Sequence, residues 1–420
     1  MFHIKDQQYY AEDITFNDLA QNYGTPLYVY SAAQITQNYQ NFSDALKDSG
    51  FEPGIYFAVK SNYNLAVLRH LKNLGAGADI VSGGEMTRAL AAGIPADQII
   101  FSGVAKTDLE LRAALTAGIR QINLESAEEL ESLQHIARAM NVTVNCAVRI
   151  NPDVDAGTHA KITTGTAENK FGVDMQTARR MFDMAKNNSV NLHGVAIHIG
   201  SQILDVTPFD AAFAAMVAFM RDMEQVGHKI AVCDIGGGIG IPYRAEDKPA
   251  DLHAFTRLLK KHFSSFPGHI ATAPGRLFVA DAGVLITRVE FIKRTAHKTF
   301  VVVDAAMNDL MRPALYDAYH PIFPAQISGQ PDEMVCDIVG GICESTDVFA
   351  KDRKLPASLK AGDILVISMA GAYGATMAGT YNARDQIAEV MVDGAKHALV
   401  RQRWQIAEQL KLETIPKWLI

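Results

Sequence analysis

An α/β barrel followed by a mostly-β domain is the fold class the sequence predicts, and two observations predict it. Between residues 55 and 273, short β-rich runs alternate with longer amphipathic ones eight times. Beyond Asp281 the alternation stops, and strand-like runs are separated by turns. Strict alternation means parallel strands joined by crossover helices, and eight repeats close a (β/α)8 barrel. A doubly wound open sheet is the competing arrangement. The expected domains are a barrel over residues 25–280 and a Greek-key or β-barrel-like domain over 281–420, with residues 1–24 packing onto the latter.

The barrel strands are expected at residues 55–59, 78–81, 99–101, 121–124, 143–150, 192–197, 230–235 and 270–273, each rich in β-branched or aromatic side chains. Helical stretches such as 66–74, 85–92, 127–140 and 208–226 lie between them. The last carries Phe209, Phe213, Met216, Val217 and Met220 at helical spacing, a stripe that reads as packing. In the second domain, residues 283–293, 299–303, 335–339 and 364–369 read as strands.

Composition narrows the function. The 420 residues are 48% hydrophobic and 20% charged with a net charge of −7, which describes a soluble globular chain large enough for two domains. Lysine and arginine are scattered singly, which argues against nucleic acid or an anionic membrane as the main partner and for small molecules. The first ten residues carry charges and no apolar stretch, and no later run is long enough to span a bilayer, so a cytoplasmic location is expected. Cys146, Cys233, Cys336 and Cys343 lie far apart without metal-ligand spacing; three are expected to be core filler.

In a (β/α)8 barrel, chemistry gathers at the C-terminal ends of the strands, and the polar residues fall there. Lys60 follows the first strand, Ser102 the third, Glu125 the fourth, His198 and Ser201 the sixth, Gly236–Gly238 the seventh, and Gly275 with Arg276 the eighth. A lysine between Val59 and Ser61 can be a snorkelling strand-end residue. Packing that withdraws its ammonium from water instead favours the neutral amine, which condenses with an aldehyde. The run Gly236-Gly237-Gly238-Ile239-Gly240 resembles a dinucleotide fingerprint, but Ile241 takes the place of the third glycine and Pro242 opposes a helix start beyond it. Bare backbone after the seventh strand suits a phosphate instead, with Arg276 adding a cation. His198 is either a hydrogen-bonded core histidine or a ring stacked on a heteroaromatic. Asp153 and Asp155 follow a proline turn and read as turn chemistry, so no metal is assigned.

Nine motifs together resemble a known family. They are Tyr56-Phe57-Ala58-Val59-Lys60-Ser61-Asn62, Asn151-Pro152-Asp153-Val154-Asp155, Lys170-Phe171-Gly172, His198-Ile199-Gly200-Ser201-Gln202, Gly236-Gly237-Gly238, Pro274-Gly275-Arg276, Met307-Asn308-Asp309-Leu310-Met311-Arg312-Pro313, Cys343-Glu344-Ser345 and Gly371-Ala372-Tyr373. Nearly end to end, the chain resembles the alanine racemase and ornithine decarboxylase superfamily of pyridoxal phosphate enzymes, and within it the diaminopimelate decarboxylase family. The resemblance implies a pyridoxal phosphate-binding barrel, a C-terminal β domain, and a head-to-tail homodimer with shared active sites. It implies that Lys60 holds the cofactor covalently, that His198 stacks on its ring, that Ser201, Gly238, Gly275 and Arg276 hold its phosphate, and that Gly237 also lies against the cofactor. Arg276, Arg312 and Tyr316 would bind the carboxylate at the non-reacting end of an amino-acid substrate, and Glu344 its amino group. Cys343 is the implied proton donor; Cys343, Glu344 and Tyr373 would come partly from the other subunit, with Tyr373 touching both cofactor and substrate.

The implied reaction is decarboxylation of meso-2,6-diaminopimelate to L-lysine and CO2, the last step of lysine biosynthesis. An amino-acid racemase, a decarboxylase of a related amino acid and a relative with weak or no turnover remain alternatives. The last arises because Ala273 stands where relatives usually carry a glutamate that pairs with the pyridine nitrogen, and a methyl group cannot hold that nitrogen protonated. Gly341 also replaces a usual proline, which loosens the backbone before Cys343.

Overall fold

A computed structural model of the chain describes residues 1–50, 52–154, 170–186, 189–327 and 332–419. Two compact units emerge, one of residues 36–242 and 246–278, the other of residues 1–35, 243–245 and 279–420.

The first unit is the barrel. Its strands are Gly54–Ala58, Gly77–Ile80, Ile99–Phe101, Gln121–Leu124, Val144–Arg149, Val190–Ala196, Val232–Asp234 and His269–Thr272. Every neighbouring pair is parallel, and pairing of Ala271 with Gly54 and of Thr272 with Ile55 closes the cylinder, so the open-sheet alternative is excluded. Each expected strand is present with its ends within two residues of those read from the sequence, because the strands are largely buried on both faces and every run carries apolar side chains.

Polar N-caps start the helices that return the chain. Asn64 accepts from Ala66 N, Ser82 from Glu85 N and Ser126 from Glu129 N, while Thr107 and Glu110 form a reciprocal capping box. In Thr207–Gln225, Phe209, Phe213, Met216 and Met220 are all buried, so the expected stripe is packing; Phe209 and Phe213 meet Phe255 of the following helix edge-on. Cys146, Cys233 and Cys336 are buried as expected, whereas Cys343 is exposed.

The second unit is built on a nine-stranded, mostly antiparallel sheet around Gly283–Arg294, with a separate three-stranded sheet from Phe2–Lys5, Gln8–Ala11 and Ile14–Thr15. The small sheet joins it through Tyr9 N to Ala325 O (2.9 Å) and the stacked rings of Tyr9 and Phe323. Leu27–Ser31 departs from the expected start of the barrel at residue 25. It is a central strand of this second sheet, antiparallel to Gly283–Arg294 and parallel to Ala388–Asp393. Its Leu27 and Val29 pack in a core with Phe16, Leu19, Val284 and Val390. Two further strands, Val348–Pro356 and Lys396–Arg401, form the edges of the sheet. Their lysines and arginines mask the strand pattern, as charges on edge strands commonly do.

Candidate active site

In the barrel unit the predicted residues converge on the C-terminal rim. Lys60 sits half-buried in the one-turn helix Val59–Ser61 directly after the first strand. His198 lies two residues beyond the sixth strand, and its Nδ1 accepts a hydrogen bond from Gly237 N at 3.3 Å. That bond assigns the ring proton to Nε2. Burial first, then the positive charges of Lys60 and Arg149, hold the imidazole pKa well below its ordinary value. His198 is therefore neutral near pH 7, a flat uncharged ring suited to stacking.

The loops after the sixth, seventh and eighth strands interlock. Ile203 N donates to Gly238 O (3.0 Å), Gly240 N to Ile203 O (2.9 Å) and Ala273 N to Gly236 O (2.7 Å), while Gln202 Nε2 reaches Ile241 O at 2.6 Å. Gly238 has φ +112°, and a Cβ there would come within 2.5 Å of Gly200 O. At Gly237 a Cβ would collide with the carbonyl oxygen of Ala273. Arg276, buried at the start of the short helix Arg276–Val279, donates from Nη2 to Ser201 Oγ at 3.2 Å. A buried guanidinium, a hydroxyl and glycine-loop backbone without side chains form a donor set that fits a phosphate. No helix starts at the glycines; the next one is Leu252–Phe263, which agrees with rejecting the dinucleotide pattern.

Below the rim lies a polar network that motif reading missed. Ser102 Oγ donates to Asp79 Oδ1 (2.5 Å), and Asn123 Nδ2 donates to Ser102 Oγ (3.1 Å) and to Asp234 Oδ2 (2.8 Å). Burial and repulsion from Asp234 push the Asp79 carboxyl up to about 7, against the opposing pull of Lys60 and the Ser102 hydrogen bond. Burial likewise raises Asp234. The available signal was one acid inside an apolar strand, as in Ala78-Asp79-Ile80 and Cys233-Asp234-Ile235. Glu125 is an ion-pair partner here, bound to Arg149 at 2.7 Å and accepting from Gly172 N at 2.6 Å, which accounts for the Lys170-Phe171-Gly172 motif. Asp153 N donates to the Asn151 side chain at 3.0 Å, the expected turn; Asp155 lies outside the described residues.

The second unit holds the remaining residues in three groups. Buried Arg312 opens the helix Arg312–Tyr316 and donates from Nη1 to His320 Nε2 at 3.0 Å, while Tyr316 OH faces Met377 Sδ at 3.9 Å. Cys343 and Glu344 are exposed; Cys343 N donates to Asn382 Oδ1 at 2.9 Å and Glu344 accepts from Tyr381 OH. Exposure leaves Cys343 outside the three cysteines expected as core filler. Tyr373 holds φ +56°, a left-handed conformation costly for an aromatic residue, in a loop where a Cβ on Gly374 would come 2.7 Å from Tyr28 Oη. His320 and Tyr243, which surround Arg312, carried no motif signal.

Residues 32–280 match the family model described as "Pyridoxal-dependent decarboxylase, pyridoxal binding domain", the class that the barrel and its cradle define. The diaminopimelate decarboxylase of Zymomonas mobilis is 43% identical over 421 residues, covering 100% of this chain and 99% of the relative. Among solved structures, diaminopimelate decarboxylase from M. jannaschii in co-complex with L-lysine superimposes with a TM-score of 0.95 at 37% identity, over 100% of this chain and 99% of that one. The Helicobacter pylori enzyme complexed with L-lysine gives 0.90 at 38% identity, over 94% and 98%. The chain belongs to the pyridoxal-dependent decarboxylases and, within them, to the diaminopimelate decarboxylase family.

Proposed function

We propose that this chain uses pyridoxal phosphate to decarboxylate meso-2,6-diaminopimelate to L-lysine and CO2, the closing step of lysine biosynthesis. The observation that carries the reading is the barrel rim, where Lys60 follows the first strand and a neutral His198 and the Ser201–Arg276 pair stand on the interlocked loops after the sixth to eighth.

These residues fit the cofactor. Ser201, Gly238, Gly275 and Arg276 would hold its phosphate, His198, oriented by its bond from Gly237 N, would cover its ring, and Lys60 would be the amine that takes its aldehyde. When bound, pyridoxal phosphate supplies a conjugated ring that takes up the electron pair left as the bond to CO2 breaks. The protein supplies orientation and a proton. Arg276, Arg312 and Tyr316 grip the distal carboxylate, Glu344 accepts hydrogen bonds from the distal ammonium, and Tyr373 contacts cofactor and substrate. This anchors the reacting carboxylate in one orientation. The Cys343 thiol donates the proton that replaces the departed carboxylate on carbon.

The same reading makes the chain a cytoplasmic homodimer in which Cys343, Glu344 and Tyr373 serve the partner's site. Support comes from the exposure of Cys343 and Glu344, which a second copy would cover, and no helix among the described residues is long and apolar enough to cross a membrane. Incubation with pyridoxal phosphate and meso-diaminopimelate, following CO2, lysine and substrate stereochemistry, tests the function. Stoichiometric CO2 and lysine are expected. Epimerised substrate without CO2 would establish a racemase, and cofactor uptake with neither product a silent relative.

A further inference from the structure

The guanidinium of Arg312 is held by a histidine to which no motif pointed. His320 is fully buried. Its Nδ1 lies 2.8 Å from Ser368 O, a carbonyl that can only accept, so Nδ1 carries the proton and Nε2 is left with its lone pair. That lone pair accepts from Arg312 Nη1 at 3.0 Å. The main chain around His320 is held as well. Arg353 Nη2 donates to the His320 carbonyl at 3.1 Å, and Ser368 N donates to Pro321 O at 2.9 Å, tying the segment to the end of the strand Ile364–Ile367. Tyr243 packs edge-on against His320 at 5.8 Å and offers its face to the Arg312 guanidinium at 4.9 Å.

A hydrogen bond at Nη1 and an aromatic ring against its face thus both constrain Arg312. Neither is anionic. A carboxylate in place of His320 would hold the guanidinium as firmly but would neutralise it; a neutral imidazole fixes the fork without itself cancelling the charge. A planar fork fixed before binding loses less freedom when a carboxylate docks bidentately.

We propose that His320 is the positioning residue that presets the Arg312 fork for the distal carboxylate of the substrate, with Tyr243 as its aromatic backstop. This rests on the reading that Arg312 takes that carboxylate, and the test separates the two claims. Four holoenzymes are compared: wild type, Arg312→Met, His320→Asn and His320→Gln. Asparagine keeps a polar group facing Ser368 O but is too short to reach Arg312, whereas glutamine can present its amide oxygen where Nε2 stood. For each, kcat and KM with meso-diaminopimelate are measured, together with inhibition by L-lysine and by 1,5-diaminopentane, which is lysine without its carboxylate.

Arg312→Met should collapse the preference for lysine over the diamine by about 100-fold, the loss of a charged bidentate contact. His320→Asn should raise KM and the lysine inhibition constant about tenfold. Its kcat should fall less than threefold and its diamine inhibition should stay put, while His320→Gln recovers most of the lysine preference. If Arg312→Met leaves that preference intact, the reading of Arg312 is wrong. If Arg312→Met abolishes it while His320→Asn behaves as wild type, or loses kcat with both inhibitors affected equally, the role given to His320 is overturned and that of Arg312 stands.

Discussion

In the barrel unit, Lys60, His198, Ser201 and Arg276 stand at the same end of eight parallel strands; in the second unit, Arg312, Cys343 and Tyr373 come from a five-residue helix, an exposed turn and a strained loop. The contrast shows what a regular topology does for a functional site. Where every strand points the same way, each strand end delivers a side chain to one rim, and the backbone hydrogen bonds of the barrel fix its position. In the antiparallel unit strand ends point both ways, so side chains are placed by local devices: the His320 and Tyr243 clamp on Arg312, the Asn382 contact at Cys343, and glycines around Tyr373.

The largest expected effect separates the two units by chemistry. Lys60→Ala and Cys343→Ala should each lower kcat by about 10³-fold or more if the proposed roles hold, the first by removing the amine for the cofactor and the second by removing the proton donor. They should differ in one respect: Lys60→Ala loses the visible absorbance of protein-bound pyridoxal phosphate, and Cys343→Ala keeps it. Mixing the two inactive chains should restore a fraction of the activity, because each site would draw Lys60 from one copy and Cys343 from the other. Mixed chains that stay inactive while exchanging subunits would show that both residues come from one copy.

That difference in regularity also decides what could be read from sequence. The barrel strands were legible because they recur as short runs with apolar, largely buried side chains between amphipathic helices, and the rim followed from them. Leu27–Ser31 was not: it is equally apolar, but its partners at Gly283–Arg294 and Ala388–Asp393 lie more than 250 residues away in the chain, and no local pattern reports that pairing. Motif resemblance pointed to Arg312, Tyr316, Glu344 and Tyr373, yet it was silent on His320 and Tyr243, which contact Arg312. It was silent too on Asp79 and Asp234, whose environment exists only once the barrel closes.

A moderate effect is expected at Ala273, where the barrel lacks the carboxylate that family resemblance places beside the pyridine nitrogen. Ala273 is only half-buried, and its backbone is already fixed by the bond to Gly236, so a longer side chain changes chemistry more than fold. Ala273→Glu should raise kcat about tenfold, on the order of one charge-assisted hydrogen bond to the protonated ring. An unchanged or lower kcat with normal cofactor absorbance would mean that this barrel stabilises the developing charge by other groups.

The smallest expected effect compares one buried acid from each unit. Asp79 and Asp309 are both pushed up to about 7, first by burial. Their surroundings differ: Asp79 faces Asp234, Lys60, Glu85 and the Ser102 hydroxyl, whereas Asp309 accepts from Ala306 N at 2.9 Å and feels Arg384, Asp304 and Arg403. A carboxyl whose folded pKa lies above its ordinary value binds a proton in the folded chain that the unfolded chain has released. Its contribution to stability is therefore complete below about pH 4 and is lost as pH rises through about 7. Asparagine cannot ionise, so both Asp79→Asn and Asp309→Asn should flatten the fall in Tm between pH 5 and 8 by a few degrees, about 3 °C. Only Asp79 exchanges charge interactions with Lys60, so only Asp79→Asn should also shift the acidic limb of kcat against pH. Equal shifts in both variants would place the cause in global stability; a shift confined to Asp79→Asn would tie the proton inventory of the barrel interior to the lysine at its rim.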